Sequence, residues 1–252
     1  VAAISGTTEV CAGSTTALAN ATANGVWTTS NAAVATVNAS GVVTGVAAGS
    51  ATITYTVTTN GCTANAQATV NVNALPTLAA IGGTANACVG SSTILTNTTT
   101  GGAWTSSNVG VATVNSITGA VSGVTAGTAT ITYTYTNSNG CTSAVSTTVT
   151  INSAPVVAAI TGTTTVCEGA TTALANATTG GVWSTANTAT ATVNATGVVS
   201  GVAAGSTTIS YTVTNANGCT TTVSTAVTVN AIPLVAAISG TTEVCAGSTT
   251  AL

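Results

Sequence analysis

Hydrophobic and polar residues alternate along much of the chain with a period of two. In the stretch SATITYTVT (residues 50–58), Ile53, Tyr55 and Val57 alternate with threonines. This alternation is typical of a β-strand that buries one of its faces. The same pattern recurs in TATITYTYT (residues 128–136) and STTISYTVT (residues 206–214). We therefore predict one such strand in each of three places along the chain.

Turn signals separate these strands from a second alternating stretch. The signals are TNG, NSNG and NANG, and each leads into a further strand such as CTTTVSTAVTVN. Asn and Gly accept positive φ at low cost, so each pair of strands is predicted to form a hairpin. Shorter runs such as STTALAN, VATVN and GVVTGVAAG precede each hairpin. The pattern predicts an all-β protein with about seven short strands per unit, arranged as antiparallel β-sandwiches.

The chain consists of internal repeats. Its tryptophans are 77 and 79 residues apart, and four of its cysteines are 77, 79 and 78 residues apart, at positions Trp27, Trp104, Trp183, Cys11, Cys88, Cys167 and Cys245. Pro76, Pro155 and Pro233 lie in similar connectors, and residues 235–252 are identical to residues 1–18. We therefore predict three repeats at 1–77, 78–156 and 157–234, followed by the partial start of a fourth at 235–252.

The order of motifs within a repeat resembles a known family. GSTTAL (residues 13–18) is followed by GVWTTSNAAVATVNASGVVTGVAAGSATITYTV (residues 25–57), and the other two full repeats carry similar motifs. This order is similar to that of the group 2 bacterial immunoglobulin-like domain, with its Trp-Ser-Ser-like step, Val-Ala-Thr-Val strand and run of spaced glycines. The resemblance implies tandem immunoglobulin-like β-sandwiches that act as spacer or display modules in bacterial surface proteins. The Cys-bearing, Thr-rich repeats also resemble those of long repetitive surface proteins of gliding Bacteroidota.

Charge is almost absent, and this excludes several classes of function. The chain has no Lys, Arg, His or Asp, and its charged side chains are Glu9, Glu168 and Glu243. Such a chain offers no basic patch, so we expect no nucleic acid partner. No run reaches the roughly 18 apolar residues of a membrane-spanning helix, so no membrane insertion is predicted. Without a side chain that titrates near neutrality, a catalytic triad or a phosphate loop, we predict a non-enzymatic protein without a cofactor.

Six cysteines form three pairs by position, and the members of each pair are separated by 51, 53 and 52 positions in the sequence. The spacing predicts the disulfides Cys11–Cys62, Cys88–Cys141 and Cys167–Cys219, with Cys245 left over. Zinc is the alternative, but no C-x-x-C pair is present, so no metal site is expected. Spacing alone leaves open that the cysteines link neighbouring repeats or chains. Disulfides imply an oxidising compartment, so we expect the protein outside the cell or at its surface.

The tryptophans and asparagines are further candidates for specific roles. Trp27, Trp104 and Trp183 each follow Gly-Val or Gly-Ala at a strand position, which predicts a place in the core beside the bridge. The alternative is an exposed platform that stacks against carbohydrate. Glycosylation sequons occur in this Thr-rich chain at Asn20, Asn38, Asn97, Asn176 and Asn194, which makes glycans a candidate modification.

A neutral, passive surface points to a structural function. Sheet edges are usually guarded by charges, and this chain has no Lys to guard them. The sequence therefore predicts a filament or fibre in which the protein associates with itself through neutral Thr/Ala/Asn-rich surfaces. One alternative is a rigid spacer stalk of a long adhesin. A third is an ice-binding array, which would require a flat and regular Thr face.

Overall fold

The computed structural model describes residues 1–251, which form β-strands joined by turns and connectors. The chain divides into two compact units, Val1–Asn152 and Ser153–Leu252. The first unit contains two β-sandwiches and the second contains one, and each sandwich has two four-stranded sheets. We call them the first, second and third sandwich. Within residues 1–251, no helix is both long and apolar enough to cross a membrane.

The first sandwich has eight strands. They are β1 (Ser5–Gly6), β2 (Glu9–Cys11), β3 (Thr15–Ala19), β4 (Val26–Thr29), β5 (Ala35–Val37), β6 (Val42–Gly45), β7 (Gly49–Thr59) and β8 (Cys62–Asn73). One sheet has the order β2-β8-β7-β4 and the other has the order β1-β3-β6-β5. The longest pairing joins β7 to β8 as an antiparallel hairpin.

The second and third sandwiches repeat this arrangement. The second has β9 (Gly82–Gly83), β10 (Asn86–Cys88), β11 (Ser92–Thr96), β12 (Ala103–Ser106), β13 (Ala112–Val114), β14 (Ala120–Gly123), β15 (Gly127–Thr136) and β16 (Thr142–Asn152). The third has β17 (Thr161–Gly162), β18 (Thr165–Cys167), β19 (Thr171–Ala175), β20 (Val182–Thr185), β21 (Ala191–Val193), β22 (Val198–Gly201), β23 (Gly205–Thr214) and β24 (Thr220–Asn230). Their sheets have the same strand orders.

The alternating residues of the long hairpins build the cores. Ile53 on β7 is fully buried between the two sheets, as are Val43 and Val70. Ile131 and Ile209 occupy the equivalent positions of the other two cores. The intervening threonines of β7 are on the opposite face, because successive side chains of a strand point to opposite sides. The predicted all-β class with tandem β-sandwiches is confirmed.

Two details differ from the sequence prediction. Each sandwich has eight strands rather than about seven, because the first strand region is split between the two sheets. Its second part pairs in parallel with the last strand of the sandwich, as β2 does with β8. The alternation of hydrophobic and polar residues could not predict this parallel pairing, because it indicates only which face of a strand is buried.

The three sandwiches occupy residues 5–73, 82–152 and 161–230. The boundaries 1–77, 78–156, 157–234 and 235–252 remain predictions. Residues 235–251 form no strand, but Thr250 Oγ1 donates to the carbonyl of Thr241, as Thr16 Oγ1 does to that of Thr7. This segment therefore shares one side-chain contact with the start of the first repeat.

Candidate functional site at the junction of two sandwiches

The two cysteines of each sandwich lie at its opposite ends. In the first sandwich, Cys11 is opposite Asn73 at the end of β8, whereas Cys62 is the first residue of that strand. The 12 residues from Cys62 to Asn73 span about 36 Å between their first and last Cα atoms in an extended strand. A disulfide requires Cα atoms within roughly 7 Å of each other, so Cys11 and Cys62 are too far apart to bond.

The other two sandwiches have the same geometry. Cys88 is opposite Asn152 and Cys167 is opposite Asn230, each at the end of a last strand. Their predicted partners directly precede the beginnings of those strands, at Cys141 and Cys219. The predicted pairings Cys11–Cys62, Cys88–Cys141 and Cys167–Cys219 are therefore wrong, because each would have to span the full length of a sandwich.

One disulfide joins the first sandwich to the second. Cys11 is bonded to Cys141, with Cα atoms 5.6 Å apart and a sequence separation of 130. Cys88 and Cys219 are also disulfide-bonded. Three cysteines are exposed free thiols, namely Cys62, Cys167 and Cys245. For Cys11 and Cys141, the alternative of a link between neighbouring repeats is the one that holds.

Asn137 stabilises the turn that precedes Cys141, on the second sandwich's side of the junction. Its Oδ1 accepts hydrogen bonds from the backbone nitrogens of Asn139 and Cys141, both at 3.0 Å. Its Nδ2 donates to the carbonyl of Ala74 at 3.2 Å, in the connector that leaves the first sandwich. The Cys141 side chain is fully buried beside this turn. One covalent bond and one side-chain hydrogen bond therefore tie the turn of the second sandwich to the end of the first.

The same turn binds the connector in the second unit. Asn215 Nδ2 donates to the carbonyl of Ser153 at 2.9 Å, and Thr221 Oγ1 donates to that of Pro155 at 2.7 Å. The sequence analysis missed both asparagines. The available signal was the pattern Asn-x-Asn-Gly-Cys, which occurs at residues 137–141 and 215–219. Its first Asn has the side chain that can cap the turn and still reach the connector.

Glu9 lies two residues before Cys11, at the same end of the first sandwich. Its carboxylate oxygens accept hydrogen bonds from Asn71 Nδ2 at 2.7 Å and Asn73 Nδ2 at 2.8 Å. These bonds favour the charged form, so they lower the pKa of Glu9 below its ordinary value. Glu9, Cys11 and Asn73 line a shallow groove together with Asn139 of the second sandwich. The junction therefore carries a fixed negative charge.

Acid is expected to weaken this end of the first sandwich when Glu9 is protonated, because the bonds from Asn71 and Asn73 favour the charged carboxylate. Because the folded pKa is the lowered one, its contribution to stability is complete above the unfolded pKa and is lost as the pH falls through the folded pKa. The denaturant midpoint of the chain should stay flat from neutral pH to about pH 5 and fall below about pH 4. The Glu9→Gln variant should show a smaller fall. An equal fall in both proteins would assign the effect to other carboxylates.

Each tryptophan packs against a tyrosine on the neighbouring strand. Trp104 is buried in the second core, while Trp27 and Trp183 are half-buried against theirs. The ring centroids lie 4.6, 4.7 and 4.7 Å apart in the pairs Trp27–Tyr55, Trp104–Tyr133 and Trp183–Tyr211. Such packing fixes the rings inside a sandwich and leaves little of the Trp104 face for a sugar.

The tyrosines were missed as site residues by the sequence analysis. The hydroxyl of Tyr133 donates to the carbonyl of Thr99 and accepts from the backbone nitrogen of Gly102 at 2.8 Å. A Cβ atom on Gly102 would lie 2.4 Å from the Tyr133 ring, so only glycine fits there. The tyrosine thus clamps the loop that leads into the tryptophan strand. The sequence does carry a signal for these tyrosines, because a tyrosine recurs two residues after the core isoleucine of each hairpin.

The five sequon asparagines fall into two groups. Nδ2 donates to a backbone carbonyl at 2.6 Å in Asn20, 2.9 Å in Asn97 and 2.7 Å in Asn176. In Asn38 and Asn194, Oδ1 instead accepts backbone hydrogen bonds within a turn. A glycan on the first three would be attached to the nitrogen that makes the structural bond. Glycosylation remains a prediction, and these contacts favour Asn38 and Asn194 over the others.

The chemistry that the junction can perform is thiol and disulfide chemistry. In residues 1–251, no three or more His, Cys, Asp or Glu side chains cluster as they would to hold a metal ion. Its reactive groups are sulfur atoms, namely those of the Cys11–Cys141 disulfide and of the exposed free thiols. The junction is therefore closed by a bond whose formation depends on oxidation.

Comparison with known proteins gives one family and several similar structures. The family model "Bacterial Ig-like domain (group 2)" matches residues 2–70 and 144–224. No curated protein matches the sequence. Domains 1–6 of the surface layer protein SbsC align with 19% identity over 96% of this chain and 42% of that chain, with a TM-score of 0.26.

Two further solved structures are similar to this chain, also with low sequence identity and low TM-scores. Invasin, a bacterial integrin-binding protein, aligns with 16% identity over 88% of this chain and 58% of that chain, with a TM-score of 0.36. A SusE-like surface-located polysaccharide-binding protein from Bacteroides thetaiotaomicron aligns with 10% identity over 90% and 61%, with a TM-score of 0.38. The chain spans less than two thirds of each of these three proteins. At these scores the likeness concerns the sandwich fold alone.

Proposed function

Because the chain belongs to the bacterial Ig-like domain (group 2) family, we propose that it is a non-catalytic, load-bearing spacer of an extracellular protein. The observation that carries this proposal is the Cys11–Cys141 bridge between consecutive sandwiches. A disulfide that only stabilised one sandwich would connect two residues of that sandwich. A bridge across a junction restrains the end of one domain against the beginning of the next.

The bridge changes the path that a pulling force takes through the chain. Tension applied between the two ends enters near Val1 and reaches Cys11 after ten residues. From there it passes through the disulfide to Cys141 and bypasses the peptide chain between them, a sequence separation of 130. The shielded segment contains most of both sandwiches of the first unit. It cannot be extended while the bridge is intact, which is a useful property in a spacer under load.

The disulfide and the amino-acid composition of the chain support an extracellular location. Disulfides persist where the environment is oxidising, outside the reducing cytosol. Trypsin-like proteases cut after Lys or Arg, and the chain contains neither. With three glutamates as its charged side chains, the surface also responds weakly to salt. These properties suit a durable element that is exposed to a variable medium.

Single-molecule pulling tests this function directly. The full chain is stretched from its two ends under oxidising conditions, and the length released by each unfolding event is recorded. In a Cys88→Ser/Cys219→Ser background, which removes the other disulfide-bonded cysteines, the further change Cys11→Ser/Cys141→Ser should release about 450 Å of additional chain, from a separation of 130 residues at roughly 3.5 Å each. Cys62→Ser is the matched control, because it removes an exposed free thiol and leaves the bridge intact. Equal release from all three proteins would refute a load-bearing bridge.

Lateral association of copies is a second candidate function, which would build a filament from these spacers. It is supported by exposed valines on edge strands, with Val26 on β4 and Val182 on β20 exposed by 65% and 70%. No lysine guards these edges. Electron microscopy of the purified chain should show multi-chain fibres that are lost in Val26→Lys/Val182→Lys. Isolated strings in both preparations would leave only the spacer function.

A further inference from the structure

A small cleft opens beside Trp104 in the second sandwich. It has a volume of about 270 Å³ and lies between the loop that joins β11 to β12 and the loop that joins β13 to β14. Its lining includes Thr99, Thr100 and Ile117. Pockets for drug-sized ligands begin at roughly 300 Å³, so this cleft suits a smaller ligand of about one sugar ring.

The indole nitrogen of Trp104 is a hydrogen-bond donor without a partner in the described part of the chain. Within residues 1–251, every buried side-chain nitrogen or oxygen has a hydrogen-bond partner. No residue in this range accepts from Trp104 Nε1, so this atom must reach accessible space although the residue is 4% exposed. It lies 3.1 Å from where a Cβ atom on Gly119 would be, and Gly119 directly follows the cleft-lining Thr118. The donor therefore faces the cleft.

Both walls of the cleft are held in place by asparagines. Asn97 Oδ1 accepts a hydrogen bond from the backbone nitrogen of Thr99 at 2.9 Å. Asn115 Oδ1 accepts from the backbone nitrogens of Ile117 at 3.0 Å and Thr118 at 2.9 Å. The cleft is therefore formed before a ligand arrives, which reduces the entropy lost on binding.

The chemistry of the lining defines the ligand. None of the residues that line the cleft is charged, so a charged ligand would lose its hydration without gaining an ion pair. An indole N–H can only donate, so the ligand must present an acceptor. Ile117 is 85% exposed and offers an apolar contact. An acetamido group has both features, because its carbonyl oxygen accepts a hydrogen bond and its methyl group is apolar.

We propose that the cleft beside Trp104 binds one neutral acetamido sugar unit. The acetamido carbonyl accepts from Trp104 Nε1–H, its methyl group packs against Ile117, and the ring hydroxyls face the threonines of the cleft. The indole is used at its edge, because Tyr133 packs against the ring itself. This mode differs from a stacking platform, and it adds a binding function to the spacer without involving the disulfide.

A similar cleft lies beside Trp27 in the first sandwich. It has a volume of about 210 Å³ and is lined by Asn20, Ser40 and Tyr55, among others. The loop NASG at residues 38–41 is one residue shorter than NSITG at residues 115–119, so it has no counterpart of Ile117. We therefore expect weaker binding at Trp27, which makes this site an internal comparison.

Nuclear magnetic resonance of the full chain labelled with ¹⁵N tests the proposal. The three tryptophans give three indole Nε1–H signals, so each site reports separately. Addition of N-acetyl-D-glucosamine should shift the Trp104 signal with a Kd of about 5 mM, and the Trp27 and Trp183 signals only at higher concentrations. Trp104→Phe, which keeps an aromatic ring in the core, assigns the signal by its loss.

The source of the sugar unit is distinguished by repeating the titration with chitotriose. Tighter binding of the trimer than of the monosaccharide would support the site and identify a unit within a polysaccharide. Equal binding would support the site and identify a free or terminal sugar. Binding of D-glucose as tight as that of N-acetyl-D-glucosamine would overturn the acetamido contact.

Two exposed isoleucines of the second sandwich supply the variant and its control. Ile117→Ala should raise the Kd about fivefold, because it removes the apolar contact of the methyl group. Ile94→Ala should leave the Kd unchanged, since Ile94 is 61% exposed and lies outside the cleft. An unchanged Kd in Ile117→Ala would overturn the proposal, as would equal shifts of all three indole signals or no shift of the Trp104 signal.

Discussion

Removal of the Cys11–Cys141 bridge is expected to lower the free energy of unfolding of the first unit by about 5 kcal/mol, because the bridge closes a loop with a sequence separation of 130. In the chain-entropy model, this loss comes from the larger conformational freedom of the unfolded chain. The test is denaturant unfolding of Cys11→Ser/Cys141→Ser. Unfolding is monitored by tryptophan fluorescence, to which Trp27 and Trp104 contribute in the first unit. Replacement of both cysteines avoids a leftover thiol that could form new bonds.

Cys62→Ser is again the control for this effect. It makes the same chemical change at an exposed free cysteine of the same unit, so its free energy of unfolding should stay within about 0.5 kcal/mol of the parent. Equal stability of the double variant and the control would contradict the prediction. Peptide mapping that recovered Cys11 bonded to Cys62 would contradict the structure on which it is based.

Replacement of Trp104 with alanine is expected to destabilise the second sandwich by about 3–5 kcal/mol. Trp104 is 4% exposed and lies against Tyr133. A Cβ atom added at Gly119 would lie only 3.0 Å from the Trp104 ring, so the backbone passes directly beneath the indole. The substitution leaves a cavity that these surroundings fill only in part. Hydrogen exchange of β15 and β16 should accelerate more than about a hundredfold.

Ile117→Ala is the matched control for Trp104→Ala. Ile117 is a large apolar residue of the same sandwich but is 85% exposed, so its truncation should cost less than about 0.5 kcal/mol. If Trp104→Ala were as stable as this control, Trp104 would not be a core residue. The carbohydrate platform considered from the sequence would then become the better interpretation.

The fold could be predicted because its signals are local. The alternation of Ile53 and Tyr55 with threonines fixes which face of the strand is buried, and the Asn-Gly turn that follows fixes the hairpin. The Trp27, Trp104 and Trp183 positions follow from the same regularity. Repetition strengthened each signal, because one pattern was available three times in a single chain.

The junction could not be predicted in the same way. The spacing of Cys11 and Cys62 is compatible with a bond until the direction of β8 is known, since the strand separates them by its whole length. The role of Asn137 depends on the connector carbonyl of Ala74, 63 residues away in sequence. The hydrogen bond from Tyr133 to the carbonyl of Thr99 likewise joins residues that are 34 positions apart in sequence. Each of these contacts joins residues whose proximity no local pattern records.

The sequence by itself determined the all-β class, the repeated sandwiches, the inward faces of the strands and the near absence of charge. Those properties follow from the side-chain period of a strand and from composition, which are written residue by residue. Only the tertiary structure decided which cysteines meet. A disulfide depends on the distance between two Cα atoms, and that distance is set by strand direction and by the stacking of one sandwich on the next.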